Sequence, residues 1–274
     1  MILPREHRPV RASVVVPVKD DARELAACLA ALARQSRPAD EIVVVDNASS
    51  DDSADVARAA GAVVVRCDVP GIPAAASRGY DAATGDVILR LDADCRPDEA
   101  WIARMLRSLD EDPSVAAVSA GAAFVDGPRL LRRPLEALYL GTYVVLTSAA
   151  LGHPPVFGSN VAMRREAWEA VSAHVHRDDP ELHDDLDLAF HLGERHRVRW
   201  VRRSRGMGMS MRPFGPGRGF GRRLVRGMRT VAVHWPEEFP PLRWSRRAVG
   251  RSITPRRRAR RSGEAAGTGS QATR

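Results

Sequence analysis

Five short runs of almost purely apolar, mostly β-branched residues recur in the first half of the chain: Ser13 to Val18, Ile42 to Val45, Val63 to Val65, Val87 to Leu91 and Val115 to Ser119. None alternates apolar with polar. A strand that is apolar on both faces has to be covered on both faces, which points to a parallel sheet between helices. The segments between the runs supply that cover. Asp21-Ala22-Arg23-Glu24 reads as a capping box, with Leu25, Leu29 and Leu32 at helical spacing behind it. Ser53 to Ala60 reads as a helix closed by Gly61, Gly71 to Ala83 as a loop running into a helix, and Asp98 to Leu109 as a helix with Trp101, Met105 and Leu109 on one face. The expected fold is α/β, with a Rossmann-like, mostly parallel central sheet and helices on both faces.

In open sheets of this kind, ligands bind beyond the carboxyl ends of the strands. Asp46 closes the second run and Asp92-Ala93-Asp94 closes the fourth. Two carboxylates one residue apart at the end of a buried strand are costly unless something pairs with them. A hard divalent cation held jointly with a diphosphate would do so, because Mg²⁺ is usually bound by one or two carboxylates plus phosphate oxygens. The plainer reading is a turn whose Asp caps the next helix, but Asp98 is already placed for that job.

Charge is unevenly spread. The net charge is +8, yet residues 195–242 hold twelve arginines against two acids, and residues 243–274 hold ten against one. The first 194 residues are therefore net acidic, by eleven charges. An acidic body with a basic C-terminal third does not fit nucleic acid as the main partner. It fits phosphate on a substrate or on anionic lipid, although the single lysine, Lys19, shows that arginine bias explains part of it. Cys28, Cys67 and Cys95 are scattered and form no disulfide framework, in keeping with a reducing, cytoplasmic setting. Met1 to Arg11 has no apolar core of a secretory signal. Of the eight histidines, His153, His183, His191 and His196 lie in the second half; they show no clean metal-ligand spacing, and structural or surface roles are expected for them. The uncharged stretch Ala137 to Gly152 is shorter than the roughly 20 residues of a spanning helix, so a buried helix is expected between Leu130 and Leu151. An interfacial helix at the inner face of the plasma membrane is the secondary expectation. Residues 246–274 are expected to be a disordered basic tail behind a single domain at 1–245.

Val14-Val15-Val16-Pro17-Val18, Val44-Val45-Asp46-Asn47-Ala48-Ser49-Ser50-Asp51, Ala83-Thr84-Gly85-Asp86 and Leu91-Asp92-Ala93-Asp94 stand in an order and spacing that resembles family 2 glycosyltransferases. The resemblance runs from about Ser13 to Leu192. It implies a GT-A fold with a nucleotide-sugar-binding half (1–122) and an acceptor half (123–245), and inverting transfer from a nucleoside-diphosphate sugar. It puts Pro17 on the loop after the first strand, against the nucleotide, and Asp46 on the base, commonly uracil, so a UDP-sugar is the expected donor. It puts Asp92 on the diphosphate and, with Asp94, on Mg²⁺ or Mn²⁺. Many relatives carry Arg-Asn before the Gly that matches Gly79. This chain has Ala76-Ser77 there, which leaves Arg78 as the basic donor contact of that segment.

Phe157 to Trp168 resembles the acceptor-side stretch, with Gly158, Ser159 and Asn160 at its head. His183-Asp184-Asp185-Leu186-Asp187-Leu188 resembles the Glu-Asp-x-Asp-Leu block, which makes Asp185 the catalytic base and Asp184 its acceptor-side neighbour. On the residues alone, an acidic helix N-terminus stabilised by the helix dipole would read the same. The Arg- and Gly-rich segment 212–229 is expected to close over the diphosphate as a loop. The acceptor would offer a hydroxyl, on a polyprenyl-linked glycan, a soluble metabolite or a protein. A nucleotidyltransferase would show a Gly-rich basic loop after the first strand, and Val18-Lys19-Asp20-Asp21 has no Gly. A non-catalytic, basic-tailed binder of membrane or nucleic acid is the alternative from another class.

Overall fold

The computed structural model describes residues 8–201, 206–212 and 219–253. Its strands are β1 (Ala12–Val18), β2 (Glu41–Asp46), β3 (Val63–Arg66), β4 (Val87–Arg90), β5 (Arg96–Pro97), β6 (Val115–Ala120), β7 (Ala123–Phe124), β8 (Val161–Arg164), β9 (Arg197–Val201) and β10 (Met207–Met209). Its helices are α1 (Ala22–Leu32), α2 (Ser53–Ala59), α3 (Ile72–Ala82), α4 (Trp101–Asp110), α5 (Arg129–Leu151), α6 (Arg165–Val171), α7 (Asp184–Arg195), α8 (Gly219–Val233) and α9 (Pro240–Ile253).

The main sheet has the order β3-β2-β1-β4-β8-β6-β9, and a small sheet has the order β5-β10-β7. All main-sheet pairs are parallel except those of β8, which runs antiparallel to both β4 and β6. Both faces of the central strands are buried, as their unbroken apolar runs require, whereas the edge strand β3 is only partly covered and leaves Val63 exposed. Val14, Val16, Val44 and Leu89 pack with α1 and α4 on one face. Val15, Val43, Val45 and Ile88 pack with α3, α6 and α7 on the other. The approach of α3 depends on Gly79, where a Cβ would run into the Val15 and Val45 side chains.

The reversed strand positions the site. Because β8 runs against β4, its first residue, Val161, pairs with the last residue of β4, Arg90. The segment 157–160 therefore arrives at the sheet edge where Asp92 and Asp94 leave it.

Six local expectations are corrected. Pro17 lies inside β1, opposite Val45, not on the loop beyond it. It is tolerated because β4 pairs with β1 only as far as Val15, so no ladder bond on that side needs a Pro17 N–H. The capping box at Asp21 does not form. The Asp21 carboxylate takes a bidentate bond from Arg212 (2.6 and 2.9 Å), while the Ala22 N–H goes to Asp51 Oδ2 at 2.9 Å. Helix α4 starts at Trp101, after a turn in which Asp98 Oδ1 accepts the Ala100 N–H.

The fourth correction is α5, which is not a buried helix. Only 11% of its most apolar stretch is buried, and Leu130, Leu138, Val145 and Leu146 are exposed. It is the one helix among the described residues long and apolar enough to cross a membrane. It ends at Gly152, whose φ of +70° is a left-handed conformation that suits glycine. Segment 219–229 is helical in α8, so no loop spans it. Residues 213–218 of that expectation lie outside the described residues. The expected tail begins inside α9, and residues 254–274 also lie outside.

Candidate active site

Arg90 organises the site, although sequence reading did not single it out. It ends β4 with 3% of its side chain exposed, pairs with Asp92 Oδ1 at 3.0 Å and Asp184 Oδ2, and lies 3.5 Å from the Tyr80 hydroxyl. A buried charge is retained only when paired and hydrogen-bonded, and two carboxylates do that here. Burial works against the cation, but Asp184 and the neighbouring acids outweigh it and hold Arg90 charged. Gly158 makes room for it, since a Cβ there would overlap the guanidinium.

Asp185, in the first turn of α7, is 5% exposed. Its Oδ2 accepts the Gly158 N–H at 3.0 Å and its Oδ1 lies 2.5 Å from His183 Nδ1. Burial would raise its pKa, but His183, the Gly158 N–H and Arg90 together hold it well below the usual carboxylate range. His183 moves the other way: Asp185 overcomes the effect of burial and raises its pKa. Asp184 is raised by burial, against the pull of Arg90. At neutral pH Asp185 is ionised and bonded to His183.

The two strand-end acids differ. Asp92 is spoken for, by Arg90 and by Ser159 Oγ, which donates to Oδ2 at 2.5 Å. Asp94 receives no hydrogen bond or ion pair from the described residues. Burial and the adjacent Asp92 push its pKa up to about 6. A half-buried carboxylate made unstable by a second carboxylate and left without a partner fits a hard divalent cation. Asp94 would be the direct ligand, and Asp92 would ligate directly or through water.

The other predicted residues divide. Gly158, Ser159, Asp184 and Asp185 line one cavity of about 100 Å³ with Arg90, Asp92, Tyr139, Tyr143, Arg223 and Arg226. Asn160 is not part of it. Its Oδ1 accepts the Trp101 indole N–H at 2.9 Å and its Nδ2 donates to the Gly121 carbonyl at 2.8 Å, which makes it a buried strut between α4 and β6. Asp46 is at the strand end as expected, where its Oδ1 accepts the Ser49 N–H at 3.0 Å. Arg78 is exposed on α3 and lines neither the site cavity nor the larger one beside it, so Arg90, Arg223 and Arg226 provide the positive charge. His183 was read as structural or surface but is a direct partner of Asp185.

A second, apolar cavity of about 600 Å³ lies between α5 and α8, walled by Leu138, Leu146, Leu186, Leu224, Met228 and Val231. It shares Tyr139, Tyr143, His183 and Arg223 with the site cavity, so the two adjoin beside His183. Arginines hold α8 in place, with Arg226 Nη2 donating to the Pro180 and Leu182 carbonyls and Arg229 pairing with Asp179 at 2.9 Å.

Comparison with known proteins agrees with this architecture. The mannosyltransferase PcManGT of Pyrobaculum calidifontis, solved with GDP-Man and Mn²⁺, superposes with a TM-score of 0.61 at 24% identity, covering 88% of this chain and 70% of that one. Glucosyl-3-phosphoglycerate synthase of Mycobacterium tuberculosis, solved with Mn²⁺, UDP and phosphoglyceric acid, gives 0.57 at 21% identity, covering 81% and 77%. In sequence, an undecaprenyl-phosphate 4-deoxy-4-formamido-L-arabinose transferase of Serratia proteamaculans is 32% identical over 37% of this chain and 34% of its own. The chain spans about a third to a half of the length of the curated relatives it matches. The profile described as "Glycosyl transferase family 2" matches residues 13–171. A mostly parallel sheet with Asp92 and Asp94 beyond the end of β4 and Asp185 on helix α7, with more than half the chain inside that profile, shows that the protein belongs to glycosyl transferase family 2.

Proposed function

We propose that the chain moves a sugar, with inversion, from a nucleoside-diphosphate sugar to the hydroxyl of an acceptor that carries a hydrocarbon chain, with a divalent cation at Asp94. The observation that carries this is the convergence of Asp92, Asp184 and Asp185 on Arg90 and Gly158, beside an unpartnered Asp94. Asp185 takes the proton of the acceptor hydroxyl. It lines the site cavity in an ionised state and is bonded to His183, which lines both cavities. Arg90 and Asp184 fix the start of α7, so Asp185 is held where the acceptor arrives. Arg223 and Arg226 line the same cavity and supply positive charge where diphosphate negative charge would build up. The cation, when bound, neutralises the leaving diphosphate. With Asp185 acting as base and Asp92 and Asp184 held by Arg90, the oxygen attacks opposite the leaving group.

One observation favours a second assignment of the proton. His183 Nδ1 is bonded to Asp185, and His183 lines both cavities. In that reading His183 takes the proton and Asp185 orients the ring. His183→Gln separates the two, because it spares a direct Asp185 base and removes a His183 base.

The hydrocarbon-bearing acceptor is supported by the apolar cavity sharing His183, the partner of Asp185, with the site cavity, and by a volume inside the range of roughly 300–1,000 Å³ typical of ligand pockets. The exposed leucines of α5 beside the arginines of α8 also support contact with an anionic lipid surface. A UDP-sugar remains the donor proposed from Asp46. The test is a panel of nucleotide sugars with Mn²⁺ or Mg²⁺, assayed with acceptors of one head group and increasing alkyl length. Transfer should rise steeply with chain length. Rates independent of chain length would contradict the acceptor reading, and absence of metal-dependent donor turnover across the panel would contradict the reaction.

A further inference from the structure

Four side chains outside the transfer site converge on one point. Asp187 and His191 stand one turn apart on α7, His176 lies in the segment between α6 and α7, and His234 directly follows α8. Asp187 Oδ1 is 2.7 Å from His176 Nδ1, 3.3 Å from His234 Nε2 and 3.6 Å from His191 Nε2. One ligand atom from each residue lies within 4.8 Å of all the others. In a tetrahedral site with bonds of about 2.0–2.1 Å, ligand atoms stand about 3.3 Å apart, so small side-chain rotations would close this set on one ion.

The hydrogen bonding of His234 says what is missing. Its Nδ1 is 2.7 Å from the Thr230 carbonyl, which can only accept, so Nδ1 carries a proton. The neutral ring then directs the Nε2 lone pair at the Asp187 carboxylate, where it is buried with no hydrogen-bond donor among the described residues. His191 Nε2 is likewise buried with no hydrogen-bond partner among the described residues, and it faces the same oxygen. A proton on one ring would relieve one of these contacts. Protons on all three rings would put a net charge of about +2 in a mostly buried space, since the His234, Asp187 and His191 side chains are 5%, 4% and 16% exposed. A single divalent ion satisfies all four groups at once.

The surroundings match what ligating residues need. A metal-bound histidine typically gives its other ring N–H to a carbonyl or carboxylate, as His234 does to Thr230. Asp187 Oδ2 is occupied by the His176 backbone N–H at 2.9 Å, leaving Oδ1 as the ligand. The His234 ring is fixed by stacking on Phe190, centroids 4.1 Å apart and planes 14° from parallel.

We propose that His176, Asp187, His191 and His234 form a closed three-nitrogen, one-oxygen site for a zinc-class transition-metal ion, distinct from the hard-cation site at Asp94. Imidazole donors suit Zn²⁺ and its neighbours rather than Mg²⁺. The ion would join α7, the segment before it and the end of α8. It takes no part in the transfer chemistry. It holds α8, with Arg223 and Arg226, against the helix that carries Asp185.

The test uses the full chain, stripped with a strong chelator and then loaded with Zn²⁺ or Co²⁺. Metal per chain is measured by mass spectrometry after desalting, and the Co²⁺ form by visible absorption. The expected result is one retained Zn²⁺ per chain, an intense tetrahedral Co²⁺ spectrum and a raised thermal midpoint. Asp94→Ala should keep all three, whereas the His191→Gln/His234→Gln double variant should lose them. A wild-type chain that retains no Zn²⁺ and gives only a weak octahedral Co²⁺ spectrum would overturn the site, and so would a double variant that binds as much as wild type. None of these readouts depends on sugar transfer, so a failure here leaves the transferase reading separately testable.

Discussion

Arg90→Met removes the cation that Asp92 and Asp184 share and leaves a side chain of similar length in the same space. Asp184, whose side chain is 14% exposed, then keeps its charge without its partner. Breaking one side of a buried ion pair costs about 3–5 kcal/mol, whereas removing both partners costs far less. At about 2–4 °C per kcal/mol for a domain of this size, the single variant should melt roughly 6–20 °C below wild type. Adding Asp184→Asn removes the stranded charge and should recover most of that loss. The sign of the pH effect follows from the direction of the shift. Asp184 already has a raised pKa in the fold, and losing Arg90 raises it further. An acid with a raised folded pKa favours the fold while protonated and loses that contribution as pH rises through the folded value. The deficit of Arg90→Met should therefore shrink as pH falls into the carboxylate range. Thermal unfolding of the four proteins of the cycle, at neutral and acid pH, reads all of this. An Arg90→Met protein within about 0.5 kcal/mol of wild type, or one that Asp184→Asn does not rescue, would refute the claim that Arg90 organises the site by charge.

Asp94→Ala should abolish the Mn²⁺ dependence of nucleotide binding in calorimetry while leaving the fold intact. In the wild type, metal affinity should fall about tenfold per pH unit below about 6, because the cation competes with the proton on that carboxyl. Leu224→Glu or Met228→Glu, each placing a charge in the apolar cavity between α5 and α8, should raise KM for a long-chain acceptor at least tenfold and leave donor binding unchanged. Gly158→Ala should lower kcat, because its Cβ displaces the Arg90 guanidinium, and a variant with wild-type kcat would show that this packing is dispensable.

The sheet was legible because a strand buried on both faces declares itself without knowledge of its neighbours. Val14 to Val18 and Val87 to Leu91 carry that signal residue by residue. The placement of Asp46, Asp92 and Asp94 at strand ends was legible because each closes or follows an apolar run. Val161 to Arg164 gave no comparable sign, since four residues have too little pattern to show that β8 enters between β4 and β6, reversed. The role of Asn160 was misread for the same reason: only the register shows that it faces Trp101. Composition also misled over α5, where apolar content suggested burial and the structure leaves the helix facing outward beside a cavity. Arg90 carried a signal that could have been used, a lone charge inside an otherwise apolar strand. The cluster around Asp187 carried almost none. Asp187 and His191 have helical spacing, but His176 and His234 lie on separate elements that only the fold brings together.

The central claim is that Asp185 accepts the acceptor proton. The measurement that tests it most directly is the turnover of Asp185→Asn alongside its affinity for the nucleotide sugar, with the donor and metal that the panel identifies. Asparagine keeps the shape and can still accept the Gly158 N–H, but it cannot take a proton. Turnover should fall by about 10²–10⁴-fold with donor affinity nearly unchanged. Turnover close to wild type would contradict the account.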